Sequence, residues 1–194
     1  MKRFYPDHLS VVSNEASWKD FRVLDVDGKR GQGVLVLRDY SQGSVLFRMN
    51  GTLKTEMTLH SLQMAPGLHL DDPYFAGKVL HSCEPNSWLD VETRIYFATR
   101  DIEAGELLTM DYDETEDVLF RAFNCCCGSP SCRGTIGGRL MKEAAAQRRR
   151  RKTPVVVTAS KLPAQVYAAV MAERHSMKKR TANGTISRMR ATVR

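Results

Sequence analysis

The chain of 194 residues has no long apolar run and no internal repeat. Its longest uncharged apolar stretch, around 166–172, is far shorter than the roughly 20 residues that cross a bilayer, which excludes a transmembrane helix. Residues 1–18 mix charged and polar side chains, so they do not resemble a secretory signal peptide. We therefore expect a soluble, intracellular protein with no membrane partner, in a reducing compartment where structural disulfides are rare.

Acidic side chains are nearly missing from the C-terminal part of the chain. Residues 139–194 contain 15 Lys and Arg against 2 Asp and Glu, a net charge of +13, whereas residues 1–138 contain 14 against 20, a net charge of −6. The overall pI near 9.3 therefore describes neither part. We expect one acidic folded body, ending near Gly138 and followed by a basic tail, because 194 residues bury one core but hardly two.

Helical patterns are also few before Arg139. Short apolar and β-branched segments separated by turn residues predict strands over 33–38, 44–47, 94–99 and 107–110. Helical composition falls instead in the tail, over 140–150 and 163–175, where Pro163 suits a first helical turn. The pattern predicts a mainly β body with a partly helical or disordered tail.

Cysteine is scarce, with five residues, yet three of them are consecutive. Cys125, Cys127 and Cys132 form a C-x-C-x4-C cluster, and the Gly-Ser-Pro turn inside it allows their thiolates to face one zinc ion. A tetrahedral site needs a fourth ligand, for which Cys83 is the candidate, and Cys126 is then the spare residue. The alternatives are free cysteines in the core and disulfides, which a reducing compartment disfavours.

Four stretches, in order and spacing, resemble the SET-domain protein methyltransferases followed by the zinc-binding post-SET segment. They are the G-x-G turn 31–33, the H-S-C-x-P-N segment 81–86, the segment 101–112 ending in Asp-Tyr, and the C-x-C-G-x3-C-R-G-x-I-G-G segment 125–138. A G-x-G turn or an Asp-Tyr pair alone is a weak signal, but the two cysteine-containing motifs are rare.

The resemblance covers about 23–138 and implies a SET-domain fold of small β-sheets with a C-terminal pseudoknot, in which Asn86 meets Asp111 and Tyr112. It divides the chain into an N-terminal extension, a SET domain, a post-SET zinc segment and a basic tail, at 1–20, 21–115, 116–138 and 139–194.

By the same resemblance, the chain transfers a methyl group from S-adenosylmethionine to a lysine nitrogen of a protein. The implied catalytic residue is Tyr112, whose hydroxyl orients the amine; the alternative is a hydrogen-bonded core tyrosine. The implied cofactor contacts are Gly31, Gln32, Gly33, Leu80 and His81, and the implied zinc ligands are Cys83, Cys125, Cys127 and Cys132. Considered alone, His81 is instead a structural histidine.

Two positions depart from the family. Leu80 stands where the family has an asparagine that contacts the cofactor, and losing one neutral hydrogen bond weakens binding by about 0.5–1.5 kcal/mol. Met49 stands where the family has a tyrosine of the lysine channel, which Tyr74 or Tyr96 could replace from another strand. The methylation state is therefore not predicted.

The basic tail suggests partners. Clusters at 148–152 and 178–180 can neutralise phosphates, so nucleic acid is a candidate partner, and a nuclear address or a solvated segment is equally compatible. The acidic body suits a basic substrate such as a histone tail. We expect a nuclear protein in a eukaryote and a cytoplasmic one otherwise.

Three functions fit these patterns. The first is a SET-domain lysine methyltransferase. The second is a catalytically weak SET-like module that binds chromatin or nucleic acid through its tail, which the residues at 49 and 80 favour. The third is a zinc-knuckle binding protein without a cofactor, which leaves 81–86 and 105–112 without a role.

Overall fold

The structure, a computed structural model, describes residues 3–152. The predicted helix over 163–175 and the basic cluster 178–180 lie outside these residues. Within the described range, none of the helices has the length and apolar composition needed to cross a membrane.

Short strands dominate the described part of the chain, so the mainly β prediction is confirmed. The strands are β1 (Phe21–Asp27), β2 (Gly31–Val36), β3 (Val45–Arg48), β4 (Thr52–Lys54), β5 (Ser61–Ala65), β6 (Leu68–Asp71), β7 (Leu80–His81), β8 (Ser87–Asp90), β9 (Ile95–Ala98), β10 (Thr109–Met110), β11 (Phe123–Asn124) and β12 (Thr135–Ile136). The helices are a 3-10 turn (Ala76–Lys78), α1 (Tyr112–Thr115) and α2 (Arg139–Lys152). The helix expected over 140–150 is therefore present as α2.

The strands pair into several small sheets. β1 and β2 form an antiparallel hairpin, β3, β9 and β8 form a three-stranded sheet in that order, and β4, β6 and β5 form another. β7 and β10 pair in parallel, and β11 and β12 pair in antiparallel fashion. The consecutive strands β2 and β3 thus belong to different sheets.

A cluster of aromatic rings joins these sheets. The ring of Phe47 lies 4.9 Å from that of Phe75 and 4.6 Å from that of Tyr96, and Phe21 contacts both phenylalanines. All four side chains are fully buried, and each contributes about 1.5–3 kcal/mol by leaving water. This cluster holds the hairpin, the 3-10 turn and the β3–β9–β8 sheet in fixed relative positions.

The first twenty residues, expected as an extension, also contribute to the core. Tyr5 is buried and donates its hydroxyl proton to Oδ2 of Asp72 at 2.8 Å. The other carboxylate oxygen of Asp72 accepts the main-chain N–H groups of Tyr74 and Phe75, at the start of the 3-10 turn. The N-terminal segment therefore helps to position this turn, which leads directly into β7.

Asn86 holds the parallel pair β7–β10 in place. Its side-chain amide donates to the carbonyl of Leu107 at 3.0 Å, and its Oδ1 accepts the N–H of Thr109 at 2.8 Å. The segment that ends in Asp111 and Tyr112 is consequently held beside the His-Ser-Cys segment. Two motifs that are distant in sequence therefore form one surface.

Candidate active site and metal centre

Four cysteines from separate parts of the chain meet beyond the end of β7. The Sγ atoms of Cys83, Cys125, Cys127 and Cys132 all lie within 4.8 Å of one another. A tetrahedral zinc ion with Zn–S bonds of about 2.3 Å places its sulfurs about 3.8 Å apart, so a small contraction completes the geometry. Cys126 is exposed and does not belong to this group. The cluster therefore fits a structural zinc site.

Main-chain donors around the cluster favour the thiolates that a metal binds. The N–H of Arg133 points to Sγ of Cys83 at 3.3 Å. Burial opposes ionisation of Cys127, but the main-chain N–H groups of Cys83 and Ser129, together with the thiols of Cys125 and Cys132, lower the pKa of Cys127 to about 6. Burial raises the pKa of Cys125, the neighbour that shares the cluster. The surroundings of the cluster therefore include hydrogen-bond donors for thiolate ligands.

A cleft with a volume of about 570 Å³ opens beside the cysteine cluster. Small-molecule sites in proteins commonly have volumes of roughly 300–1,000 Å³. Most of the predicted cofactor and catalytic residues line this cleft: Gly31, Gln32, Leu80, His81 and Tyr112. Two of the zinc-ligand candidates, Cys125 and Cys127, belong to the same wall. The structure thus brings the separate sequence motifs together.

The two glycines of the G-x-G turn have different surroundings. Gly31 lines the cleft with a φ of +71°, a backbone conformation that glycine adopts without strain. Gly33 is buried, and a Cβ there would lie 2.8 Å from Cγ2 of Val26 and 3.0 Å from Cδ1 of Leu80. The missing side chain of Gly33 therefore makes room for Leu80, and Gly33 does not line the cleft.

His81 connects the cysteine cluster to Tyr112. Its Nδ1 accepts the N–H of Tyr112 at 3.3 Å, and its Nε2 lies 3.5 Å from Sγ of Cys83. Burial lowers the pKa of His81, so the ring is neutral and can accept at one nitrogen and donate at the other. The side chain of this histidine therefore has a structural role, while its main chain remains at the cleft.

Tyr112 begins α1 and extends its hydroxyl along the cleft. The hydroxyl donates to the carbonyl of Val79 at 2.7 Å, and the ring lies between His81 and Phe123. Burial, reinforced by the negative charge of Glu116, raises the pKa of Tyr112. The phenol is therefore protonated at neutral pH. It can orient a ligand as a hydrogen-bonding group but cannot serve as a base.

The residues considered for the lysine channel lie away from the cleft. Met49 is buried in the core, and Tyr74 packs against the core beside Tyr5. Tyr96 is fully buried and donates its hydroxyl proton to Sδ of Met110 at 3.1 Å. Met110 itself lines the cleft, so Tyr96 acts on the cleft only through this side chain.

Two cleft residues carry no motif of their own and were missed. Gly77 lines the cleft, where any Cβ would collide with the main-chain oxygens of Asp72 and His60. Glu116 also lines it, although only 5% of the residue is exposed. Glu116 is the extended residue that follows α1, so no helical spacing marked it as a cleft residue.

The family comparison agrees with this arrangement. Residues 31–113 match the family model described as the SET domain. The matched residues include β2, β7, β10 and Tyr112, which together form the wall of the cleft. This part of the chain is therefore similar to a SET domain, and three of the four clustered cysteines follow it in the sequence.

Several curated proteins are similar to this chain. Methyltransferase flvH of Aspergillus flavus is 35% identical over 101 residues, a match that covers 51% of this chain and 57% of that protein. Histone-lysine N-methyltransferase EHMT1 of Homo sapiens is 31% identical over 143 residues, which covers 59% of this chain and 11% of that protein. The chain thus spans less than two thirds of the length of each relative.

A solved structure gives the same fold. A chain of KRYPTONITE, in a crystal structure with mCHG DNA and SAH, aligns with a TM-score of 0.50 and 24% sequence identity. The alignment covers 59% of this chain and 28% of that one. The likeness shows a shared fold over the aligned part of the chain.

Proposed function

We propose that this chain is an S-adenosylmethionine-dependent protein-lysine N-methyltransferase. The observation that carries the proposal is the convergence of Gly31, Leu80, His81 and Tyr112 on one cleft beside a zinc-competent cysteine cluster. The names of the relatives, which include methyltransferases and histone-lysine N-methyltransferases, support the same activity. The domain boundaries at 20, 115 and 138 belong to this proposal.

The cleft residues divide into two groups in the proposed enzyme. The main chain of Gly31, Gln32, Leu80 and His81 holds the cofactor, which supplies a methyl group on a cationic sulfur. Gly33 acts indirectly, because its lack of a side chain allows Leu80 to pack beneath the turn. Leu80 offers no side-chain amide, so we expect cofactor affinity to rest on main-chain hydrogen bonds and apolar contact.

Tyr112 orients the substrate amine. A lysine ammonium, with a reference pKa near 10.4, must lose a proton before its nitrogen can attack. Burial of the lysine side chain in the cleft favours the neutral amine, and the phenol of Tyr112 holds its nitrogen in line with the methyl carbon. The nitrogen–carbon bond then forms as the carbon–sulfur bond breaks, and the electron pair of that bond stays on sulfur.

Zinc holds the post-SET segment in the proposed enzyme. Cys83 belongs to the SET domain, whereas Cys125, Cys127 and Cys132 belong to the following loop, so one ion joins the two. The same loop supplies Phe123 and residues 125–127 to the cleft wall. A zinc ion on these four thiolates would hold this part of the cleft wall in place.

The proposed substrate is an exposed lysine in a basic protein segment, with histone tails as the first candidates. The net charge of −6 over residues 1–138 favours association with a basic peptide. A nuclear location, and nucleic acid contacts through the basic tail, fit this assignment as further proposals. The second candidate function, a weakly active SET-like module, is favoured by the apolar Leu80 side chain and by the core position of Met49.

Methyl transfer can be tested directly. The protein is incubated with methyl-labelled S-adenosylmethionine and either core histones or a nuclear extract, and methylated lysines are located by mass spectrometry. Label on histone tails supports the full proposal, and label on other proteins supports the enzyme while changing its substrate. Binding of S-adenosylhomocysteine without any transfer favours the weakly active module instead.

A further inference from the structure

Glu116 occupies a position from which it can act on the substrate amine. It follows α1 directly, and its N–H donates to the carbonyl of Tyr112 at 2.9 Å. Glu116 itself is extended, so it ends the turn on which Tyr112 lies. Both residues line the cleft. A lysine nitrogen held by the phenol of Tyr112 therefore approaches this carboxylate.

The carboxylate is buried without a cationic partner. Its Oε1 accepts the N–H of Gln63 at 2.9 Å and the hydroxyl of Thr115 at 3.1 Å. Among the described side chains, no Lys, Arg or His nitrogen forms an ion pair with it. The adjacent Asp117 is paired with Arg139 instead. An incoming ammonium would supply the positive charge that the site lacks.

The surroundings of Glu116 raise its pKa. Burial, the dominant cause, raises the pKa of Glu116 to about 7, and the negative charge of Asp117 acts in the same direction. The hydrogen bonds from Gln63 and Thr115 oppose this shift. A carboxylate with an ordinary pKa near 4.3 would be a poor acceptor for an ammonium proton. The pKa of Glu116 is only about 3 units below that of a lysine ammonium, so proton transfer costs less.

Other cleft residues are less suited to accept a proton. Glu116 is the single acidic side chain among the described residues that line the cleft. The phenol of Tyr112 already donates to Val79, and both ring nitrogens of His81 face neighbours. The remaining titratable groups that line the cleft are His60, Lys29, Arg30, Lys78, Arg121 and the thiols of Cys125, Cys126 and Cys127, two of which belong to the metal-ligand candidates. Nδ1 of His60 contacts the carbonyl of Gly77 at 3.1 Å, so this nitrogen is a donor.

Resting on the proposed function, we infer that Glu116 receives the ammonium of the substrate lysine and accepts its proton before methyl transfer. The carboxylate and the ammonium become a neutral carboxyl group and a neutral amine. The amine then attacks the methyl carbon, and the sulfonium cofactor becomes a neutral thioether as the lysine becomes a methylated ammonium. Glu116 returns its proton to water when the products leave.

The experiment compares wild type with Glu116→Gln, Glu116→Asp and the matched control Glu114→Gln. Glu114 lies on the same helical turn but is exposed and does not line the cleft. Methylation of core histones is measured as kcat/KM from about pH 6 to pH 9, and binding of S-adenosylhomocysteine is measured by calorimetry. Thermal melting identifies any variant that fails to fold.

We expect the wild-type profile to rise with pH through an ionisation near pH 7, because only the deprotonated carboxylate accepts a proton. Glu116→Gln should lower kcat/KM by at least about tenfold at pH 8 and remove that ionisation, leaving a rise only at higher pH. Glu116→Asp should retain the ionisation at a lower rate, and Glu114→Gln should match wild type. All variants should bind S-adenosylhomocysteine equally.

Two results would overturn the inference in distinguishable ways. An active wild type with a Glu116→Gln variant of equal rate and equal pH profile removes the role of Glu116 and leaves the enzyme intact. A wild type that transfers no methyl group to any protein removes the proposed function, and the role of Glu116 with it.

Discussion

Arg133 lies in the segment 116–138, which carries three of the clustered cysteines. Its guanidinium donates hydrogen bonds to the carboxylate of Asp111, the residue that precedes Tyr112. Nη1 of Arg133 lies 2.9 Å from Oδ2 of Asp111, and Nη2 lies 3.0 Å from Asp113. The main-chain N–H of the same arginine points to Sγ of Cys83. One residue therefore contacts a metal-ligand candidate and the start of the helix that carries the phenol. The positive charge also offsets the excess negative charge of a four-thiolate zinc site.

Replacing Arg133 with leucine should destabilise the folded protein. Only 6% of the Asp111 side chain is exposed, so loss of the guanidinium leaves a buried carboxylate with fewer partners, at a cost of about 2–4 kcal/mol. Urea unfolding measures this change. Arg22→Leu, at an exposed position in β1, is the control and should alter stability by less than about 0.5 kcal/mol. Equal midpoints for the two variants would show that the Arg133–Asp111 contact adds nothing.

Replacing Cys127 with serine should remove zinc. Serine lacks a thiolate, and a three-thiolate site binds the metal far more weakly, so bound zinc should fall well below one ion per chain. Stability and methyl transfer should fall together, because the loop forms part of the cleft wall. The control is Cys126→Ser, since Cys126 is exposed and outside the cluster. Metal analysis of both purified variants decides the matter, and a zinc-loaded Cys127→Ser protein would contradict the ligand set.

Replacing Tyr112 with phenylalanine should separate folding from activity. The change removes one hydrogen bond to Val79, which costs about 1 kcal/mol of stability, and it keeps the ring between its neighbours. Methyl transfer should fall by at least about tenfold, because the amine loses the group that orients it. Tyr74→Phe is the control, since Tyr74 lies against the core and not in the cleft. Equal kcat values for the two variants would remove Tyr112 from the catalytic site.

Replacing Glu116 with glutamine should also change how stability depends on pH. The folded-state pKa, about 7, is higher than the ordinary value of 4.5, so the folded protein binds an extra proton between these values. Wild-type stability should therefore fall as pH rises from about 4.5 to 7, and glutamine removes that loss. The variant should be more stable than wild type at pH 8 by up to about 3 kcal/mol.

Denaturant unfolding at pH 5 and pH 8 measures the effect without any substrate. Glu114→Gln, at an exposed position, should follow the wild-type dependence at both values. The difference in unfolding free energy between wild type and Glu116→Gln could instead be the same at both pH values. The pKa of Glu116 would then be an ordinary one, and the raised value that follows from burial would be wrong.

Sequence reasoning found what is encoded in local motifs. The spacing of Cys125, Cys127 and Cys132 was enough to predict a metal loop, and the structure adds Cys83 to it as expected. The alternation of apolar residues likewise predicted the strands that became β2 and β9. These features depend on neighbours within a few residues, so they can be read without knowing the fold.

Features that depend on distant contacts were not predicted. Glu116 became a cleft residue only because β5 buries it, through a hydrogen bond from a residue 53 positions earlier. Asp111, the partner of Arg133, lies 22 residues earlier in the chain, and the two meet only in the folded segment. The packing of Tyr5 against Asp72 spans 67 residues and has no local signature. Isolated charged or aromatic residues acquire such roles from tertiary structure alone.

The two ends of the cysteine-containing segment 116–138 lie at nearly the same place. Leu119 bonds to the carbonyl of Gly137, Arg139 bonds to that of Glu116, and β11 pairs with β12. Main-chain hydrogen bonds thus already bring the two ends together, and the metal does not have to offset the entropy of closing the loop. Loss of a metal ion would then release the tip of this segment, which borders the cleft, while the main-chain hydrogen bonds still join its two ends.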